Sequence, residues 1–180
     1  RFSDVIKVMK NIQVLPYEHA SESRKIYERA HLGVARELLE KKKYSAAVSI
    51  LEKSKEWPEN IGVGKPYGPD ERMQDYLLAI SYEGVGEVSK KAESLQSIVD
   101  FTKEHITNSD IDHLFGLLAL KKLDKQDELT SLISKLENDN PKNRMALSLF
   151  QNNLEEAAGL REKNNISEDL WLDLLESLKY

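Results

Sequence analysis

Glycine and proline, the residues that interrupt helices most readily, are concentrated in one part of this chain. Of its eight glycines and five prolines, six fall within residues 57–75, WPENIGVGKPYGPDERMQD. On both sides of this stretch, apolar residues recur with the spacing of one helix face, and no segment alternates clearly with the period of a strand. The sequence therefore predicts an all-α chain that is interrupted by one long connector at residues 57–69.

The predicted helices come in pairs that are joined by short turns. Their expected bounds are residues 21–41 and 44–57, 69–83 and 87–104, 109–122 and 125–137, and 141–151 and 154–163. A helix with Ser3 as its N-cap precedes these pairs, and another opens at Ser167. We therefore divide the chain into residues 1–20, the end of a preceding helical unit with its linker, residues 21–166, the paired helices, and residues 167–180, a capping helix.

Helix pairs that recur at intervals of roughly 30–40 residues are typical of repeat proteins. The first pair has small residues, Ala35 and Ala47, at the two places where its helices would cross most closely. The residues that define the pattern in the first three pairs are His31, Val34, Leu38 and Leu51; Leu78, Ala79, Tyr82 and Ala92; and Leu117, Leu120, Leu129, Ile133 and Pro141. This pattern resembles the tetratricopeptide repeats over about residues 27–158, although Gly116 and Leu117 depart from it and the fourth pair matches poorly. The resemblance implies a right-handed α-solenoid of about four degenerate helix-turn-helix pairs with a C-terminal capping helix.

Two longer stretches resemble a narrower group of proteins. LPYEHASESRKIYERAHL and EWPENIGVGKPYGPDERMQDYLLAISYE are similar to the C-terminal repeat region of a large family of uncharacterised bacterial tetratricopeptide proteins. In that family the repeats follow a β-rich N-terminal domain that looks carbohydrate-related. The resemblance implies that this chain is a fragment of a larger bacterial protein.

The connector contains GVGK, but its spacing excludes a phosphate-binding loop of the Walker type. That motif needs a glycine at the position of Glu59 and a serine or threonine at the position of Pro66. One remaining interpretation is a ligand site formed by six residues: Trp57, Asn60, Lys65, Tyr67, Arg72 and Asp75. The other, which we favour, is a structural plug between the first two pairs, with Arg72 in a local salt bridge.

The composition argues against several classes of function. The 26 Lys and Arg residues against 31 Asp and Glu residues leave a net charge of −5, which does not favour nucleic acid as a partner. The chain has no cysteine, and no two of its four histidines are spaced i, i+4, so we expect no metal and no cofactor. No apolar run approaches the roughly 18 residues of a membrane span. The absence of cysteine fits a cytoplasmic protein, and a periplasmic one remains an alternative.

Tetratricopeptide arrays usually bind partners with the outward positions of the first helix of each pair. In this chain those positions form a candidate groove: Arg29, Arg36, Met73, Tyr76, Ile80, Glu83, Ile111, Leu114, Leu118 and Lys121. Its apolar part should be covered by an N-terminal domain, a second copy of the chain or a peptide helix.

These observations favour a non-catalytic protein-interaction or scaffolding module, whose partner is a protein or peptide. No arrangement of residues points to an enzyme, so no catalytic residue is assigned. The alternative is an accessory helical domain of a carbohydrate-active enzyme, in which the connector would complete a site on a domain outside this chain.

Overall fold

The computed structural model describes residues 1–16 and 21–166, and the only regular secondary structure in these ranges is helical, with no β-strand. The all-α class predicted from the sequence is therefore confirmed, while the capping helix predicted at 167–180 lies outside the described residues. The nine helices found there are α1 (Phe2–Asn11), α2 (Ser21–Glu40), α3 (Tyr44–Ser54), α4 (Arg72–Val85), α5 (Val88–Glu104), α6 (His113–Lys122), α7 (Gln126–Leu136), α8 (Pro141–Phe150) and α9 (Leu154–Lys163). A short 3-10 helix, Glu59–Ile61, lies between α3 and α4. None of the helices in the described part of the chain is long and apolar enough to cross a membrane.

Three helices begin two or more residues away from the expected start. Helix α1 begins at Phe2, so Ser3 lies inside it and is not its N-cap. Helix α4 begins at Arg72, where the Asp70 carboxylate accepts a hydrogen bond from the Arg72 backbone N–H at 3.1 Å and forms an Asx-turn over residues 70–72. Helix α6 begins at His113, four residues after the expected start.

Contacts between helices follow the order of the chain. Each helix from α1 to α9 packs against the next, and α6 also contacts α4 and α8. Helix α6 is buried over eight consecutive residues, HLFGLLAL, as expected for a helix that is apolar on all sides. The largest apolar core of the described residues therefore surrounds α6 and includes Phe115, Leu117 and Tyr76.

A second core joins α2, α3 and α4. Ala35 on α2 and Ala47 on α3 are both fully buried in it, beside Leu51 and Leu77. These small side chains let the helices of the first pair approach closely, which is the role that the sequence pattern predicts for them.

We expect Ala47→Leu to lower the free energy of unfolding by about 1–3 kcal/mol, because the larger side chain has no room in this core. Ala46→Leu is the matched control, since Ala46 is the neighbouring residue on the same helix and is exposed. Urea denaturation of both variants measures the difference. Equal midpoints for the two variants would show that the crossing of α2 and α3 is not tightly packed.

Candidate functional site

The connector extends over residues 55–71, between the end of α3 and the start of α4. Its 3-10 helix carries Asn60, whose side-chain Nδ2 donates hydrogen bonds to the carbonyl oxygens of Met9 (2.7 Å) and Ile12 (3.0 Å). The backbone N–H of Val14 in turn donates to the carbonyl oxygen of Asn60 at 2.8 Å. Asn60 therefore binds carbonyl groups that the C-terminus of α1 leaves without helical partners.

The next two residues fix the connector against α2 and against the segment after α1. The Ile61 side chain is fully buried, and the Ile61 carbonyl oxygen accepts a hydrogen bond from Ser23 Oγ at 2.5 Å. Gly62 has a φ of +73°, and a Cβ atom at this position would lie 2.5 Å from the carbonyl oxygen of Val14. Only glycine fits here without displacing the backbone.

Trp57 packs against a buried arginine of α2. The guanidinium carbon of Arg24 lies 4.5 Å from the centroid of the Trp57 ring, which is within the range of a cation–π contact. Arg24 Nη2 also donates to the carbonyl oxygen of Ser54 at 2.7 Å, at the end of α3. One face of the Trp57 ring is thus used for packing and is not available to a ligand.

Arg72 is the most buried charged residue of the region, with only 1% of its surface exposed. Its guanidinium Nη2 donates to Asp70 Oδ2 at 2.5 Å and also to Asp110 Oδ2. Its Nη1 contacts Thr102 Oγ1 at 3.4 Å and His113 Nδ1 at 3.2 Å. The side chain therefore ties the start of α4 to the end of α5, the loop before α6 and α6 itself.

A second set of charged side chains surrounds Asp75, which lies one turn after Arg72 on α4. Lys55 Nζ is 2.5 Å from Asp75 Oδ1 and 3.2 Å from Glu71 Oε2, and Lys65 Nζ is 3.2 Å from Glu71 Oε1. Burial alone would lower the pKa of Lys55, but the carboxylates of Asp75 and Glu71 outweigh it and raise the pKa. Lys55 stays protonated, and it joins the end of α3 to α4.

Three carboxylates of this region approach one another closely enough to be considered as metal ligands. Oxygen atoms of Asp70, Asp110 and Asp112 lie within 4.8 Å of one another. Arg72 already donates hydrogen bonds to two of these three carboxylates, so a cation would have to compete with its guanidinium group. We assign no metal to the cluster.

His113 is fully buried and neutral beside Arg72. Because Arg72 Nη1 can only donate, His113 Nδ1 accepts, and the protonated Nε2 donates to the carbonyl oxygen of Asn108 at 2.9 Å. Burial lowers the pKa of His113, and burial also lowers the pKa of His31 on α2.

We therefore expect His113 and His31 to make the protein less stable as the pH falls from 7.5 to 5.5. A histidine whose folded pKa lies below its unfolded value of about 6.5 contributes stability that is present above pH 6.5 and is lost as the pH falls from that value through the folded pKa. Each such histidine changes the free energy of unfolding by at most about 1.4 kcal/mol per pH unit. Burial raises the pKa of Asp75 and Glu28, and such carboxyls act in the opposite direction, with stability gained as the pH falls.

Urea denaturation at pH 7.5, 6.5 and 5.5 tests this expectation. His113→Gln keeps a neutral side chain with a donor and an acceptor, so its stability should depend less on pH than that of the unmodified chain. The same pH dependence in both proteins would show that His113 does not titrate differently in the folded and unfolded states.

Five of the six residues of the predicted loop site contact other residues of the chain. Trp57, Asn60, Arg72 and Asp75 bond or pack within the chain, as described above, and Lys65 is paired with Glu71. The remaining residue, Tyr67, is fully exposed at the tip of the connector. Asn60 and Ile61 are anchored against α1 and α2, so a plug between the first two pairs stays a prediction. Arg72 has the predicted local salt bridge to Asp70 and an additional one to Asp110, 38 residues later in the chain.

The candidate groove is not open along its length. Tyr76, Ile111, Leu114 and Leu118 are buried in the core around α6, so they do not form an open groove, and other helices of this chain cover them instead of the partners expected from the sequence. The physical reason is that α6 has α4, α5, α7 and α8 around it, and these helices cover the apolar side chains that were assigned to the groove.

The other groove residues lie at or near the surface. Met73 and Ile80 are half-buried against the core, Arg36 Nε lies 3.6 Å from Glu40, and Glu83 Oε1 lies 2.5 Å from Lys91 Nζ. Arg29 and Lys121 are exposed. Their role in binding a partner stays a prediction.

A cleft that the sequence did not predict lies between α5 and α7. It has a volume of about 320 Å³, and Val99 and Thr102 of α5, Gly116 and Leu120 of α6 and Leu132 of α7 form most of its apolar wall. Lys103 of α5 and Glu128 of α7 form an ion pair of 2.5 Å at its edge.

Sequence reasoning missed Lys55, Thr102, Asp110 and His113 as parts of the charge network. These residues are distant from Arg72 in the chain, and no local pattern connects them to it. The one available signal was the polar residue His113 at the start of an otherwise apolar helix.

Comparison with known proteins gave no match: no family model, no curated protein and no solved structure matches the chain.

Proposed function

We propose that this chain is a non-catalytic protein-interaction or scaffolding module, built as a right-handed tetratricopeptide-like α-solenoid and belonging to a larger bacterial protein. The main support is that the charged and polar side chains around the connector are bonded to one another. Arg72, Asp75 and His113 hold helices together, whereas a catalytic group needs access to a substrate. The apolar cleft between α5 and α7, in contrast, is open to solvent.

The solenoid part of the proposal is supported by the order of the helix contacts and by the small residues Ala35 and Ala47. In such arrays each unit packs mainly against its neighbours, and the stacked units offer a long surface to a partner. Removal of the last pair and the residues after it, 141–180, should leave α1–α7 folded in a solenoid. Complete loss of helical circular dichroism in the shortened chain would contradict this architecture.

The binding function is tested with a photoreactive amino acid, p-benzoylphenylalanine, placed at exposed positions of the full chain. Arg29 and Lys121 test the candidate groove, Ser131 tests the cleft, and Ser49 on α3 is the control. A partner protein that is identified by mass spectrometry at one test position and not at residue 49, and that binds the purified chain saturably, supports the proposal. If no test position gives such a partner, and light scattering shows a monomer at all concentrations, the proposal fails.

The second candidate is the accessory domain of a carbohydrate-active enzyme, and one observation favours it. Tyr67 is fully exposed on the connector, and exposed aromatic rings can stack on sugar rings. Calorimetric titration with a panel of oligosaccharides tests this candidate. Heat of binding that Tyr67→Ala abolishes would support it, and the absence of binding to any oligosaccharide, by this chain and by the full-length protein, would contradict it.

A further inference from the structure

The cleft between α5 and α7 has an apolar floor and a polar edge. Both helices pack against α6, and the floor between them is formed by buried side chains of all three helices, among them Val99, Leu120 and Leu132. A water molecule takes about 30 Å³ and a four-carbon side chain about four times as much, so a volume of about 320 Å³ has room for two or three leucine side chains. The cleft is therefore large enough to hold one apolar face of a peptide.

The polar edge on α7 carries an acidic residue, a serine and a basic residue at regular spacing. Asp127, Ser131 and Lys135 all line the cleft, and they are spaced four residues apart on one face of the helix. Eight residues of α-helix separate the carboxylate from the ammonium group, which corresponds to about 12 Å along the axis. Within residues 1–16 and 21–166, none of these three side chains forms an ion pair or a hydrogen bond.

The neighbouring charges on the same edge are already paired. Glu128 accepts from Lys103 at 2.5 Å and lies 3.5 Å from Lys125. Asp127 and Lys135 thus remain as one negative and one positive site, one near each end of α7. A partner that satisfies both must itself carry two opposite charges about two helical turns apart.

We infer that this cleft binds an amphipathic helix of a partner protein, which lies antiparallel to α7. In this orientation, acidic residues in the first turn of the partner helix reach Lys135, and basic residues in its last turn reach Asp127. Leucine-type side chains between these ends enter the cleft with the spacing of one helix face. Acidic first turns and basic last turns also match the helix dipole, so such a helix is stabilised even before it binds. This inference rests on the proposed interaction function and names the chemistry of the partner.

The test uses two fluorescein-labelled peptides of 16 residues and the full chain. The first peptide has Glu in its first turn, leucines at positions i, i+4 and i+7, and Lys in its last turn. The second has the same composition, with the Glu and Lys residues exchanged. We expect fluorescence anisotropy to show that the first peptide binds about fivefold to tenfold more tightly, because in the antiparallel orientation the exchange replaces two attractions by two repulsions and it also opposes the helix dipole.

Three variants locate the binding site. Ser131→Trp fills the mouth of the cleft and should weaken binding of the first peptide at least about tenfold, whereas Thr130→Trp, on an exposed position outside the cleft, should not change it. The double variant Asp127→Lys/Lys135→Glu should prefer the second peptide. Thermal melting verifies that each variant is folded. If the Ser131→Trp variant does not fold, the double charge variant still tests the inference.

Equal affinities for the two peptides, or binding that Ser131→Trp leaves unchanged, would overturn the inference. Binding of small apolar carboxylates in the cleft, with no binding of either peptide, would overturn it as well and would indicate a small-molecule site. A natural partner that crosslinks from residue 29 or 121, and still binds the Ser131→Trp variant, would leave the interaction function intact while the cleft is excluded. Failure of both the crosslinking and the peptide experiments would reject the function and the cleft together.

Discussion

Replacement of Arg72 by methionine should lower the free energy of unfolding by about 3–5 kcal/mol. The guanidinium group is 1% exposed and bonds to the carboxylates of Asp70 and Asp110. Methionine fills a similar volume without charge, so the variant leaves two partly buried carboxylates and the buried His113 Nδ1 without their donor. The loss reflects these uncompensated groups and not the net contribution of the ion pairs. Urea denaturation at pH 7.5 measures it.

Two further variants separate the charge effect from the packing effect. Arg29→Met makes the same substitution at an exposed position on α2 and should change the stability by less than about 0.5 kcal/mol. The triple variant Arg72→Met/Asp70→Asn/Asp110→Asn removes the unpaired carboxylates and should recover part of the stability. Similar losses for Arg72→Met and Arg29→Met would show that Arg72 is not the link between α4 and α6.

The paired helices could be predicted because their signals are local. Apolar spacing, polar turns and proline at residue 141 act over a few residues, and α8 begins at Pro141 as expected, with Asn140 as its N-cap. The starts of α4 and α6 were predicted too early. There the side chains of Asp70 and Asp110 bond to backbone N–H groups two residues later, which favours a turn over a further helical turn.

The candidate groove could not be predicted correctly, because burial of a helix face depends on how many helices surround it. Leu114 and Leu118 have the same spacing whether they face a partner or the chain itself. The run HLFGLLAL was the better indicator, since a helix that is apolar on all sides belongs in a core. The hydrogen-bond partners of Arg72 could not be predicted for a similar reason. Only Asp70 lies near Arg72 in the chain, and the fold brings the other partners to it.

The connector provides the second large effect, through Ile61→Ala. Ile61 is fully buried and packs with Met9 and Tyr27, so that the connector joins α1 and α2 in one small core. Loss of this side chain leaves a cavity. The backbone cannot easily move to close the cavity, because the contacts of Asn60 and Gly62 hold the backbone on both sides of residue 61. We expect the free energy of unfolding to fall by about 2–5 kcal/mol in urea denaturation.

Tyr67→Ala is the control for this prediction, because it removes a larger apolar side chain from the same connector. Tyr67 is fully exposed, and its removal should change the stability by less than about 0.5 kcal/mol. The two variants together distinguish a connector that holds α1 against α2 from one that only spans the distance between α3 and α4. If Ile61→Ala were as stable as Tyr67→Ala, the hydrogen bonds of Asn60 and Ser23 would have to hold the connector alone. The plug interpretation would then be wrong, and the residues from 57 to 69 would have to be considered again as a binding loop.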